Sequence, residues 1–252
     1  MDKIKGIQTG IFRVNTWICP LYKNVVMIID PDCSLYTGDQ DSFISFLKKE
    51  SLLPLCIVLT HGHFDHIAGI KGLKEAFPFT KILIHKSDEK MIGPEILSMQ
   101  DDFSMDYDIF DFIKKALTDL PGADGYLEDG KSLDQLPFFD DLKENQDFLK
   151  AFSNSEDNKD LEALKASLSL WKILWTPGHT EGSVCLYNEK DGLLFSGDTV
   201  FYHSYGRTDL KGGNQAKMMK SLSFLRKSIR EDAIVFPGHD YSAFPFGENY
   251  LA

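Results

Sequence analysis

Five of the seven histidines in this 252-residue chain fall, with three aspartates, into short clusters that recur along the sequence. The first, Thr60-His61-Gly62-His63-Phe64-Asp65-His66, alone holds four side chains able to ligate a metal. The others are Thr176-Pro177-Gly178-His179-Thr180, Ser196-Gly197-Asp198-Thr199 and Phe236-Pro237-Gly238-His239-Asp240. This density predicts a metal site, and the number of ligands predicts a pair of metals. Imidazole and carboxylate together suit zinc, iron or manganese, whereas a structural zinc site more usually recruits paired thiolates. Cys19, Cys33, Cys56 and Cys185 lie far apart with no CxxC pair, so four buried free cysteines are expected, and no disulfide framework.

The segments HGHFDH, TPGHTEGS, FSGDTVF and FPGHD resemble, in type, order and spacing, the ligand motifs of the metallo-β-lactamase superfamily, over residues 7 to 240. Carried over position by position, the resemblance implies that His61, His63 and His179 bind one metal. Asp65, His66 and His239 bind the second, and Asp198 bridges them. Two divalent ions, zinc first and iron or manganese as alternatives, would then hold a hydroxide between them as nucleophile, tuned by Asp65 and Asp198. Hydrolysis follows, without a serine or cysteine nucleophile. Thr60, Thr176, Thr180, Thr199 and Asp240 are neighbours able to orient the ligands.

Within the superfamily, the run from Ser196 to Leu210, with Gly206-Arg207-Thr208-Asp209, resembles small glyoxalase II-like enzymes (hydroxyacylglutathione hydrolase-like), which implies cleavage of an acyl thioester. The glutathione-contact segment of the larger glyoxalase II enzymes is missing, which leaves the thiol open. His203, Tyr205 and Arg207 are candidate substrate contacts, with pairing of Arg207 to Asp209 the stronger expectation for that arginine; His85 is expected to be structural. The alternatives are a mononuclear-iron persulfide dioxygenase using His61, His179 and Asp198, and a non-enzymatic metal-binding protein. A β-lactamase is disfavoured because many of those enzymes carry Cys where Asp198 stands.

Each cluster follows an apolar β-type run: Leu55–Leu59, Ile173–Trp175, Leu193–Phe195 and Ile234–Phe236. Four strand ends, each followed by a glycine-bearing turn, are a rigid way to bring side chains to one edge of a sheet. Further strands are expected at Ile11–Trp17, Asn24–Ile29, Ile82–Ile84 and Ser183–Tyr187, with a hairpin turn at Lys190-Asp191-Gly192. Helices are expected at Ser42–Lys49, Ile67–Ala76, Tyr107–Leu117 and Leu161–Leu170, and through Met218, Met219, Leu222, Leu225 and Ile229. Periodicity alone reads α/β or α+β; the resemblance implies an αββα sandwich. Residues 1–252 are taken as one domain, in which about 88–170 form an acidic, mainly helical connection. Part of it, Pro137–Ser169, reads as an insertion, a helical cap bordering the substrate entrance.

A hydrophobic content of 43% with 12% aromatics is that of a globular chain. Of the net charge of −11, the stretch 88–165 supplies 21 acidic against 8 basic side chains, leaving the remainder near neutral. An acidic protein without a basic stripe is a poor nucleic-acid binder, so a small-molecule substrate is expected and nucleic acid is not. No apolar window reaches membrane-span length and no signal peptide opens the chain, which predicts a cytoplasmic address. Oligomeric state is open.

Overall fold

A computed structural model of the chain describes residues 4–92, 96, 114–152 and 159–249. Strands β1 (Lys5–Thr9), β2 (Val14–Tyr22), β3 (Val25–Ile29), β4 (Leu53–Val58), β5 (Lys81–His85) and β6 (Gly125–Leu127) form one sheet in that order. The strands β7 (Lys172–Trp175), β8 (Val184–Asn188), β9 (Leu193–Gly197), β10 (Ile234–Pro237) and β11 (Phe244–Pro245) form the second, ordered β11-β10-β9-β8-β7. Helices α1 (Gln40–Lys49), α2 (Phe64–Ile67), α3 (Ile70–Ala76), α4 (Phe138–Lys143), α5 (Gln146–Phe152), α6 (Lys159–Leu168) and α7 (Gln215–Ser228) accompany them. The parallel pairs β3–β4, β4–β5 and β9–β10 need crossovers, and α1, the α2–α3 pair and α7 provide these.

Alternation along the strands of the second sheet sorts its side chains between two cores. Ile173, Val184, Leu186, Phe195 and Phe236 pack with Trp17, Ile28 and Ile57 of the first sheet, filling the space between the sheets. Their neighbours Leu174, Cys185, Tyr187, Leu194 and Val235 face the other way, onto Met218, Leu222 and Leu225 of α7. Those three sit at helical spacing on one stripe, while Met219 is 40% exposed, so its place among the apolar positions of that helix is corrected. β3 is buried along its whole length, as expected of a strand covered on both faces. All four cysteines are buried and free.

Three local expectations change. Ile11–Arg13 are not strand: Gly10 and Arg13 take φ of 70° and 56°, turning the chain into a β1–β2 hairpin whose tip exposes Ile11 and Phe12. The helix expected over Ile67–Ala76 is split into α2 and α3. Gly69 N–H donates to Pro31 C=O at 2.8 Å, not back along its own helix, and a side chain there would collide with Pro31 and Cys33. Tyr107–Leu117 lies mainly outside the described residues; Lys114–Ala116 are helical.

The position of α4–α6 also overturns the cap expectation. β2 runs antiparallel to β3, so Tyr22 lies at the end of the sheet opposite Ile29 and Val58. The helices are tied to that opposite end. Tyr22 Oη and Lys23 Nζ reach Asp160 at 3.1 and 2.6 Å, and Phe148 packs on Phe79 just before β5. Phe138, Phe139, Phe148, Leu164 and Leu168 are buried in the inter-sheet core, and that burial is what fixes the segment there. Among the described residues, no helix is long and apolar enough to cross a membrane.

Candidate metal centre

The four clusters meet at the end of the sandwich where β4, β9 and β10 finish. Two of their groups satisfy the geometry of a ligand set: His61, His63 and His179, all buried, and Asp65, His66 and His239, each group with its ligand atoms within 4.8 Å of one another. His63 Nδ1 and His179 Nε2 are 2.8 Å apart, and His66 Nε2 and His239 Nε2 are 3.3 Å apart. Asp198 sits between the groups, with Oδ2 3.5 Å from His179 Nε2 and Oδ1 3.5 Å from His66 Nε2.

Neighbouring groups select which imidazole nitrogen carries a lone pair. His179 Nδ1 lies 2.7 Å from the Arg207 carbonyl, which can only accept, so Nδ1 holds the hydrogen and Nε2 faces the cluster unprotonated. Thr60 Oγ1 donates to Asp30 Oδ2 at 2.6 Å and is left to accept from His61 Nδ1 at 3.1 Å. That leaves His61 Nε2 as a lone pair which, like Asp198 Oδ1, is buried without a hydrogen-bond partner. Native interiors rarely leave such atoms unserved. His66 Nδ1 faces Asp30 Oδ2 at 3.0 Å, close but poorly aligned for a hydrogen bond.

Electrostatics divide the groups. Burial pushes His61, His63 and His179 below the ordinary imidazole range, the neighbouring histidines adding to the effect at His61 and His63, so all three are neutral donors of lone pairs. Burial opposes charge on His66 too, but Asp198, Asp65 and Asp30 outweigh it and lift the imidazole to about 10. His239 is raised despite its burial, through its hydrogen bond to Asp65 and the charge of Asp198. Asp65, which burial alone would raise, is held well below the carboxylate range by His66 and His239. Neutral imidazoles with the orphaned His61 Nε2 are the donors a divalent cation requires at the first group. At the second a cation would displace the protons that His66 and His239 hold beside Asp65, and the clusters fit the divalent-metal sites of the superfamily.

Close approach is possible because glycines flank the cluster. Gly197 turns at φ 48° before Asp198, and a Cβ on Gly238 would run into Asp198 Oδ1 and His66 Cε1. The first sheet is locked to this end by Asn15 N–H, which donates to Gly238 C=O at 2.7 Å, and by Trp17 Nε1–H, which donates to Pro237 C=O at 3.0 Å.

A cavity of about 200 Å³ opens onto the cluster, lined by Phe12, His63, Phe64, Asp65, His179, Asp198, Arg207, Leu210 and His239. Of the three substrate candidates only Arg207 lines it, and its guanidinium is forked onto Asp209 with two bonds of 2.8 Å. His203, at φ 56°, meets the Tyr202 ring edge-on, and the Tyr205 hydroxyl accepts from Gln215 Nε2 at 3.0 Å; neither lines the cavity. His85 stacks on Trp175 away from the site, as a structural residue would. Thr60 and Thr180 take part in the network around the ligands, whereas Thr176 and Thr199 bond to each other and the Asp240 side chain is exposed. Sequence reasoning missed Asp30, Asp88, Phe12 and Leu210. Asp30 and Asp88 each stand at or just past the end of an apolar strand, the pattern that marked the clusters, so a signal existed for both.

The model of the metallo-beta-lactamase superfamily matches residues 21–239. A probable metallo-hydrolase of Bacillus subtilis is 26% identical over 87% of this chain and 86% of its own length. A hydroxyacylglutathione hydrolase of Francisella philomiragia is 24% identical over 87% of this chain, which spans 60% of that protein. Among solved structures, the B3 metallo-beta-lactamase BLEG-1 superposes with a TM-score of 0.71 at 27% identity, covering 98% of this chain and 95% of its own. A protein solved in a di-iron-bound form superposes at 0.70 with 22% identity, covering 98% and 100%. Two facing sheets, ligand motifs at the ends of their strands and a family match over most of the length converge: the chain belongs to the metallo-beta-lactamase superfamily.

Proposed function

We propose that the chain is a dinuclear metal-dependent hydrolase whose substrate is an acyl thioester. The observation that carries this reading is the position of Asp198, whose two oxygens each lie 3.5 Å from a ligand nitrogen of a different group. His61, His63 and His179 would then hold one ion and Asp65, His66 and His239 the other, with Asp198 available to both. The donor set suits zinc, and iron or manganese by the same chemistry. When bound, such a pair of ions lowers the pKa of a water between them towards neutrality and polarises a carbonyl.

The chain's own groups orient and enclose. The Arg207 carbonyl and the Thr60–Asp30 pair hold His179 and His61 in the ligating tautomer. Asp65 and Asp198 would orient the attacking water. Phe12, Phe64 and Leu210 wall the cavity with apolar surface for the acyl group. No Ser, Cys, Thr or Tyr lines that cavity among the described residues, which leaves no hydroxyl or thiol nucleophile there and no hydroxyl to protonate a leaving group. A thioester needs neither, because a thiolate is a weak base and leaves unprotonated. The hydroxyacylglutathione hydrolase relative supports the same substrate class.

The test is metal content of protein purified without added metal, followed by turnover of lactoylglutathione, a glutathione-free thioester, a lactone, a β-lactam and glutathione persulfide. Two metals per chain with thioesters turned over fastest is the expected result. One iron per chain with oxygen uptake on the persulfide, or a β-lactam as the best substrate, would replace the reading.

A further inference from the structure

Asp88 belongs to none of the four ligand clusters, yet its side chain ties two of them together. It sits in the turn after β5, 1% exposed. Its Oδ2 accepts from Gly62 N–H at 3.1 Å and from Thr180 Oγ1–H at 2.6 Å, and its Oδ1 accepts from Gly182 N–H at 2.7 Å. Gly62 separates His61 from His63, and Thr180 follows His179. Gly182 lets the carboxylate approach, since a Cβ there would strike Asp88 Cγ. The two loops also share a backbone bond from Val184 N–H to Thr60 C=O at 2.8 Å, but that bond lies outside the span between the three histidines.

We propose that Asp88 is a positioning residue that clamps the His61–His63 loop to the His179 loop and so sets the spacing of the three-histidine group. It rests on the reading that this group holds a metal. A carboxylate is needed because three donors converge on two oxygens. An amide has one oxygen, so asparagine either keeps Gly182 and turns its N–H₂ towards Gly62 N–H, or keeps Gly62 and Thr180 and turns it towards Gly182 N–H; in both cases one loop faces a second donor. Retaining the charge has a cost: burial pushes the Asp88 carboxyl up to about 6, helped by the nearby Glu181 and opposed by its three donors.

The experiment measures metal affinity by chelator competition, and the absorption spectrum of the cobalt-substituted protein, in wild type, Asp88→Asn and Thr180→Val. Outer partners of ligating residues are worth about 10–100-fold in affinity. Asp88→Asn is therefore expected to lose about that much at one of two sites, with an altered cobalt spectrum and the second site unchanged. Thr180→Val, which removes one donor and leaves the carboxylate, is expected to lose severalfold at the same site, and it keeps the test open if Asp88→Asn fails to fold. Wild-type affinity and spectrum in both variants, or equal weakening of both sites, would overturn the clamp while leaving the dinuclear reading intact. A wild-type protein that binds no metal would overturn both.

Discussion

At the scale of single residues, Asp198 and Asp88 do different work with the same functional group. Asp198 lies 3.5 Å from a ligand nitrogen in each of the two groups, so Asp198→Ala is expected to lose both metals and at least about 100-fold in activity, as when a ligand made for the transition state is removed. Elemental analysis beside a circular dichroism spectrum checks this; full occupancy with normal turnover would contradict the shared role. For Asp88, the folded value of about 6 exceeds the ordinary value of 3.8. The folded state thus holds that proton more tightly, and the stabilisation is complete below about 3.8 and is lost as pH rises through about 6. A shift of about two units corresponds to about 3 kcal/mol. In metal-free protein, urea unfolding of wild type should lose roughly that much between pH 4 and 7 relative to Asp88→Asn, and parallel pH profiles would refute it.

At the scale of elements, the β1–β2 hairpin takes the place beside the cavity that the sequence assigned to the helical segment. The β1–β2 tip presents Phe12 to the cavity, its ring edge-on to Phe64 at 5.2 Å. Phe12→Ala is expected to raise KM severalfold for thioesters with apolar acyl groups while metal content stays unchanged, because an apolar ground-state contact is lost. An unchanged KM across acyl chain lengths would remove Phe12 from substrate selection. The α4–α6 segment does the opposite. Phe148 is fully buried and stacks on Phe152 at 5.2 Å at the far end of the sandwich, so Phe148→Ala should cost about 3–5 kcal/mol by denaturant titration with KM unaltered. A KM shift without a stability loss would restore the lid.

At the scale of the whole molecule, the two sheets are joined by the inter-sheet core and by the candidate centre. His61, His63, Asp65 and His66 come from the first sheet's loops, and His179, Asp198 and His239 from the second's. Ions held there would staple the sheets, since a ligand bound only by the folded state adds RT ln(1 + [L]/Kd) to stability. Chelation is therefore expected to lower Tm, by about 4 kcal/mol worth of stability at metal concentrations near 1,000 times Kd. Added zinc should restore it in wild type but not in Asp198→Ala. A Tm indifferent to chelator would argue that the ligands are not engaged across the sheets.

The sequence by itself determined the histidine and aspartate clusters and the strand that leads into each, because these depend on local pattern: an apolar run, a glycine turn, a histidine or aspartate at the strand end. The family and the layered αββα class followed from the resemblance those motifs carry, since periodicity alone reads only α/β or α+β. It also determined that Arg207 would prefer Asp209, two residues away. Only the tertiary structure decided what depends on contacts between distant parts of the chain. Asp88 reaches Gly62 and Gly182 across 26 and 94 residues, and Asn15 reaches Gly238 across the sheets, which no window of sequence displays. The split between α2 and α3 depended on the Pro31 carbonyl claiming Gly69 N–H, and the hairpin at Ile11 on two residues with positive φ. The helical segment read as a cap because its phenylalanines are equally compatible with a substrate wall and a core; packing against Phe79 and Tyr22 placed it at the end away from the candidate centre, where burying those rings contributes to stability.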